Sequence, residues 1–364
     1  MTVTITAPSL SDFVRDIFKA AGCSDHEGGR IGRYLVEANL TGHDSHGVIR
    51  VPRYVQMLRD KLIVPDVTID VVVDTPVLAV VDGKYGFGQT VGPQAVQIGI
   101  DKCRRMGLSA VGLRNAGHTG RTGDFAEMAA AEGLVSVHFV NARGSVLVAP
   151  YAGVEKRFST APYCIGIPRP GQPPLVLDFA TSIVAEGKVL VASQGGKKVP
   201  DDALIAPDGT MSGDPHVLYG DYAPDGPRTH RHGTGAIRAF GEHKGSGLAF
   251  MCELLGGALT GNGATQEGPR FANGVFSFYV DPKVIDPAGV FGPEVARYTA
   301  FVKGSRPAIP DGEVLVPGEP EIRSRARRTA EGMPLPDDTW ASIVAAARMA
   351  GLDERRIQAA GRQG

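Results

Sequence analysis

Cysteine is scarce in this chain of 364 residues: Cys23, Cys103, Cys164 and Cys252 stand far apart with no Cys-x-x-Cys pair. That excludes a disulfide scaffold and a thiolate metal knuckle, and it makes buried, reduced thiols the expectation. An excess of either charge is missing as well. The 38 Lys and Arg against 39 Asp and Glu leave a net charge of −1, so the chain offers no basic field for nucleic acid. The one dense basic run, Arg323 to Arg328, reads as a solvated helix face. No stretch approaches the roughly 18 uninterrupted apolar residues of a membrane span, so no membrane partner is expected. The opening MTVTITAPSL lacks a basic region followed by an apolar core, which predicts a cytoplasmic protein.

Three chemical signatures are also absent. No G-x-G-x-x-G lies between a strand and a helix, with GFGQTVG from Gly86 only a near miss, so a Rossmann dinucleotide fold is not expected. No G-x-S-x-G elbow supports a serine nucleophile. No H-E-x-x-H or Cys/His cluster supports a catalytic metal, and the conceivable ligand pairs, His43 with His46 and His230 with His232, are isolated.

What is abundant is glycine: 48 residues, nearly double the usual share of about 7%, which implies many tight turns and close backbone approaches. The length allows about two domains. Phe13, Val14, Ile17, Phe18 and Ala21 form a helical stripe ending at Gly22. Ser24 with Glu27 then makes a capping-box pattern ahead of Ile31, Tyr34, Leu35 and Ala38. A third helix carries Val51, Tyr54, Val55 and Leu58. Beyond Pro65 the texture becomes β-branched, VTIDVVV and VLAVV, followed by a helix over 91–106. Strands at 110–113, 135–140, 164–168, 175–178 and 275–280 alternate with helices at 123–131, from Gly245, and around 293–303. Residues 193–240 read as a long irregular excursion and EVLVPGE from Glu313 as strand-like. The chain should end in helices over 338–350 and after Asp353 that pack with the first three. The expected class is mixed α/β (α+β).

Acid–base chemistry concentrates in GHDSHGVIRVPRYV, residues 42–55. Pro52 suits a first helical turn and Ser45 or Asp44 can cap it, which puts His46 at a helix N-terminus, where the dipole favours neutral imidazole. Spacing alone is equally compatible with Ser45 as a plain cap and His46 as a surface residue. NAGHTGRTG from Asn115 follows a strand and precedes a helix whose free amides could hold a phosphate, with His118 inside the turn. Lys188 in AEGK and Lys244 in EHKG sit among small residues that permit close approach.

Taken in order, D-S-H-G-x-x-R-x-P-x-Y at 44–54, N-A-G-H-T-G-R at 115–121, D-F-A-T-S at 178–182, A-E-G-K at 185–188, E-H-K-G at 242–245 and L-V-P-G-E at 315–319 resemble the malate/L-lactate dehydrogenase family of non-Rossmann NAD(P)-dependent oxidoreductases. Within it they are most similar to the hydroxycarboxylate dehydrogenase B branch. The resemblance implies hydride transfer between nicotinamide, of NAD or NADP, and C2 of a small 2-hydroxycarboxylate or 2-oxo acid. Ketimine reduction and a non-catalytic ligand-binding module are the alternatives. It implies His46 as proton donor and acceptor with Ser45 orienting it, and His118 and Lys188 as further catalytic candidates. Cofactor contacts are implied at Arg50, His118, Thr119, Gly120, Arg121, Thr122, Asp178, Phe179, Ala180, His243, Lys244, Pro317, Gly318 and Glu319. It implies a helical domain of residues 1–66 with 310–364, an unusual α/β cofactor domain over 67–309, and a homodimer. Two departures stand out. Imine-reducing members carry an aspartate where this chain has Lys188, and FSTAP at 158–162 replaces a Gly-Thr-Asn-Pro run.

Overall fold

In the computed structural model, residues 2–194, 197–222, 228–268 and 270–361 are described. Both ends of the chain build one helical layer. Helix α1 (Ala7–Ala20) forms because Leu10, Phe13, Val14, Ile17 and Phe18 recur on one face and are all fully buried. It stops ahead of Gly22, whose φ of +105° suits only glycine. Helix α2 (Asp25–Leu40) starts at Ser24, which accepts from the Glu27 amide at 3.1 Å. The capping box is only half made, because the Glu27 carboxylate turns away to accept from the Asp66 amide and the Thr90 hydroxyl. Helix α3 (Val51–Arg59) carries proline in its first turn. The strand Thr2–Ile5 pairs antiparallel with Met333–Pro336, so Ile343, Ala346, Ala347 and Ile357 near the end share a core with α1, α2 and α3. At roughly 1.5–3 kcal/mol for each large buried side chain, that shared core ties the two ends together.

The second layer is a seven-stranded sheet in the order Asp70–Asp74, Leu78–Asp82, Leu108–Ala116, Ala272–Val280, Val135–Arg143, Pro162–Ile167, Leu175–Ala180. Only the Leu78–Asp82 and Leu108–Ala116 pair is parallel, joined by the crossover helix α4 (Gly88–Met106); the other neighbours are antiparallel. A mostly antiparallel sheet has no doubly wound switch point, in keeping with the missing glycine fingerprint. Helix α4 lies close on the sheet because Gly99 faces the Tyr279 ring, where a Cβ would sit 2.2 Å from a ring carbon. Helix α5 (Gly123–Ala131) packs beside it.

Residues 193–240, expected to be irregular, contain most of a small sheet in the order Met211–Ser212, Leu204–Ile205, Ala236–Arg238, Val148–Ala149. Its own core of Val148, Val189, Leu204, Leu218, Tyr219 and Ile237 includes helix α6 (Glu186–Gln194). Part of that stretch, 195–196 and 223–227, lies outside the described residues. Two further expectations are corrected. Residues 313–316 form no strand; they run irregularly into the helix Glu319–Glu331. The basic run on that helix is not merely solvated, since Arg325 pairs with Glu37 and Glu127 and Arg328 with Asp44. A run of arginines on a polar helix looks solvent-facing until its acidic partners arrive from distant segments. All four cysteines are buried and free.

Candidate active site

His46 is not at the mouth of α3. Two single turns of 3-10 helix, Asp44–His46 and Val48–Arg50, come first, and Arg50 occupies the position before Val51. Neither Ser45 nor Asp44 caps α3. Asp44 accepts from the Asn39 amide at 2.6 Å and from both terminal nitrogens of Arg328 at 2.6 and 2.9 Å. Asn39 also accepts from the Val48 amide at 2.8 Å. The turn carrying His46 is thus clamped from α2 and from the helix Glu319–Glu331.

Ser45 Oγ lies 2.9 Å from His46 Nδ1. Arg50 donates from Nε to the Ser45 carbonyl at 2.6 Å, and its Nη1 is 3.7 Å from Glu186, which accepts from the Tyr219 hydroxyl at 2.7 Å. The start of α6 presses on this turn through Gly187, where a Cβ would lie 2.5 Å from Ser45 Cβ. Over the His46 ring lies that of His118, with centroids 5.5 Å apart and planes 17° apart. His118 Nδ1 is 2.6 Å from the Tyr54 hydroxyl, which in turn accepts from Gln89 Nε2 at 3.1 Å. The His118 turn is fixed by Thr119, whose amide donates to Asn273 at 2.9 Å. It also abuts the start of α4, where Gly88 alone has room beside the His118 carbonyl.

Burial holds His46 well below the usual histidine range, with His118 and Arg50 adding repulsion to its imidazolium. Burial, then Arg50, brings His118 down to about 3. Neutral His46 was expected from a helix dipole; desolvation and neighbouring cations do the work instead. Burial and the nearby positive charge therefore favour the neutral form of both stacked rings.

The remaining sequence candidates fall around a second region. Asp178, whose carboxyl burial pushes up, accepts from the Gly123 amide at 2.6 Å. The first amide of α5, expected to be open to a phosphate, is therefore filled from within. Arg121 is buried and engages Asp124 at 2.7 Å and Glu127 at 2.8 Å, while its Nε has no partner. Beside it lies a cavity of about 460 Å³ whose walls include Arg121, Val176, Gly318, Glu321 and Arg325. Gly318, at φ +92°, starts the helix Glu319–Glu331, and Glu319 accepts from the Val316 amide. Glu321 lies 3.3 Å from His43, one turn from His46. His43 thereby links the cavity wall to the histidine pair. Phe179 meets Phe240 edge-on at 5.3 Å, which brings Asp178–Ala180 beside the exposed helix start at His243 and Lys244. Lys188 is exposed on α6 and, among the described residues, its ammonium has no partner.

Sequence reading missed Tyr54, Gln89 and Glu186. Tyr54 was counted as part of an apolar stripe, and nothing in the spacing betrays that its hydroxyl reaches another segment. The FSTAP departure has a structural account: Ser159 Oγ bonds the buried Glu253 carboxylate at 2.6 Å and accepts from the Ala142 and Ala161 amides. Ala161 is held at φ +30°, a conformation asparagine tolerates better than alanine.

The family model for malate/L-lactate dehydrogenase matches residues 5–344. The chain belongs to this family. As a malate/L-lactate dehydrogenase family member it is an oxidoreductase of 2-hydroxy acids. It is 36% identical to hydroxycarboxylate dehydrogenase B of Escherichia coli K12 over 97% of this chain and 96% of that one. It is 30% identical to a Delta(1)-pyrroline-2-carboxylate/Delta(1)-piperideine-2-carboxylate reductase of Pseudomonas syringae pv. tomato, over 91% and 93%. The solved sulfolactate dehydrogenase of Methanocaldococcus jannaschii superposes with a TM-score of 0.81 at 28% identity, covering 97% of this chain and 98% of that one. Among the described residues of this dehydrogenase, no helix is long and apolar enough to cross a membrane.

Proposed function

We propose that this enzyme is an NAD(P)-dependent 2-hydroxycarboxylate dehydrogenase in which His46 moves the hydroxyl proton. The observation that carries this reading is the His46 ring, oriented by Ser45 and stacked on His118 in a clamped turn beside Arg50. When Ser45 Oγ accepts from Nδ1–H, the Nε2 lone pair is free to take a proton from a substrate hydroxyl. Arg50 repels the imidazolium of His46. A substrate carboxylate beside Arg50 cancels that repulsion and raises the basicity of His46 when the substrate is present.

The residues fit a dinucleotide. The cavity volume falls within the range of about 300–1,000 Å³ usual for cofactor pockets, and Arg121, whose buried Nε has no partner, is among the residues that line it. Arg121, Gly318 and Glu319 would hold the nucleotide end, with Asp178, Phe179 and Ala180 beside them. NAD(P), when bound, supplies the hydride acceptor or donor. The exposed Lys188 supports no step at His46. The absence of a carboxylate at that position favours hydroxy-acid chemistry over ketimine reduction. A homodimer is supported by the helix Phe291–Lys303, which buries no residue and leaves Tyr298 and Phe301 58% and 72% exposed.

Absorbance at 340 nm with NADH or NADPH and a panel of 2-oxo acids and piperideine-2-carboxylate tests the reading. His46→Ala should lower turnover about 10²- to 10⁴-fold while NAD(P)H affinity is retained. Near-normal turnover by this variant would refute the assignment.

A further inference from the structure

Proton inventory along one buried chain of hydrogen bonds assigns a second role in the cleft. Gln89 and Tyr54 are 2% and 1% exposed, so their polar atoms must find partners inside the protein. Gln89 Nε2 donates to the Tyr54 oxygen, which leaves the phenolic proton for the remaining neighbour, His118 Nδ1, at 2.6 Å. A nitrogen that accepts carries no proton, so the neutral ring must hold its proton on Nε2. Flipping the Gln89 amide would reverse the chain and put the proton on Nδ1. That arrangement would bury an NH₂ with two protons unmet; as placed, the unpartnered atom is the carbonyl oxygen Oε1. Orphaned carbonyls are tolerated better than orphaned N–H groups. Burial keeps the phenol protonated, pushing Tyr54 up to about 12.

We propose that Gln89 and Tyr54 are positioning residues that fix His118 as its Nε2–H tautomer, making it a standing hydrogen-bond donor to the substrate oxygen whose proton His46 exchanges. The inference rests on the proposed dehydrogenase reading for its catalytic consequence, but the tautomer itself does not. The stacked pair then divides the work. His46 changes protonation state during the reaction. His118 does not, and it polarises the C2 oxygen without ever competing for the proton. Neutral donation by a histidine whose basicity has been suppressed is an efficient way to stabilise charge developing on that oxygen.

The test is a long-range ¹H–¹⁵N correlation spectrum of the full-length protein labelled with ¹⁵N-histidine at pH 7.5, with His118 assigned by its loss in His118→Asn. The expected pattern is a protonated Nε2 and an unprotonated Nδ1. Tyr54→Phe should collapse this into a tautomer mixture and lower kcat for a 2-oxo acid roughly 10- to 100-fold, with a much smaller change in KM. Gln89→Glu removes the donor to Tyr54, turns the phenolic proton toward the new carboxylate, and should shift His118 to the Nδ1–H form. A wild-type spectrum dominated by Nδ1–H would overturn the inference, as would an unchanged tautomer and unchanged kcat in Tyr54→Phe. The spectrum is read on resting protein, so a failure to turn over any 2-oxo acid would count against the dehydrogenase assignment while leaving the tautomer result standing.

Discussion

Gly187 offers the sharpest way to separate the geometry of the site from the stability of the fold. In Gly187→Ala the new methyl carbon would lie 2.5 Å from Ser45 Cβ, 3.0 Å from Ser45 Cα and 3.2 Å from Arg50 Nη2. Ordinary contact begins near 3.4 Å, so the start of α6 and the His46 turn must part by about 1 Å. The turn cannot simply recoil, because Asn39 and Arg328 grip its other side through Asp44. Overpacking of this kind costs about 1–3 kcal/mol, partly offset by up to about 1 kcal/mol of helix propensity gained by replacing glycine. The fold should survive. If His46 exchanges the proton as proposed, a displacement of about 1 Å is worth roughly 10²-fold in kcat, or about 2.7 kcal/mol. Steady-state kinetics on the best 2-oxo acid, with NAD(P)H titrated by fluorescence and melting followed by circular dichroism, would show a large kcat loss beside small shifts in the other two. A variant within threefold of wild-type kcat would refute the claim that this contact positions Ser45 and His46.

Two other outcomes follow from buried polar groups. Asn39→Ala leaves the Val48 amide without its acceptor and Asp44 with one donor fewer; urea unfolding should show a loss of about 1–3 kcal/mol, and no loss would mean the clamp is slack. His138 is fully buried between Phe125 and Tyr279, and burial lowers it to about 3. The unfolded chain binds a proton at this residue near pH 6.5 and the folded chain does not, so the contribution of His138 is complete above pH 6.5 and fades as pH falls toward 3. Between pH 6 and 4 the fade amounts to about 2.5 kcal/mol. The stability gap between the wild type and His138→Gln, measured by urea unfolding at pH 4, 5 and 6, should change by that amount in favour of the variant as pH falls. A pH-independent gap would contradict it.

Periodicity located α1, α2, α5 and the strands of the large sheet well, because each pairs a strong local pattern with a glycine or proline stop. It failed where the deciding partner is distant. EVLVPGE has a strand's composition, but its Val316 amide is taken by the carboxylate of Glu319, and no neighbouring strand is present to pair with it among the described residues. Ser45 and Asp44 looked like caps because capping is their commonest local use; their real partners are His46, Asn39 and Arg328. The two histidine motifs, 72 positions apart, were each legible in the sequence, and only the family resemblance joined them in one site. The stacking of the pair, and the Tyr54 and Gln89 behind it, required coordinates, since a hydroxyl on an apolar stripe reads as packing until its neighbour is known.

The strand pairing of Thr2–Ile5 with Met333–Pro336 has a consequence for synthesis. A ribosome delivers residues in order, at about 5–20 per second, so α1, α2 and α3 emerge with their apolar faces uncovered. They wait for most of the chain before Ile343, Ala346 and Ile357 arrive to cover them. Arg328, which locks the turn bearing His46, is delivered in the same late instalment. All seven strands of the large sheet, the last of them Ala272–Val280, are therefore synthesised before the Arg328 side chain that grips Asp44 beside His46.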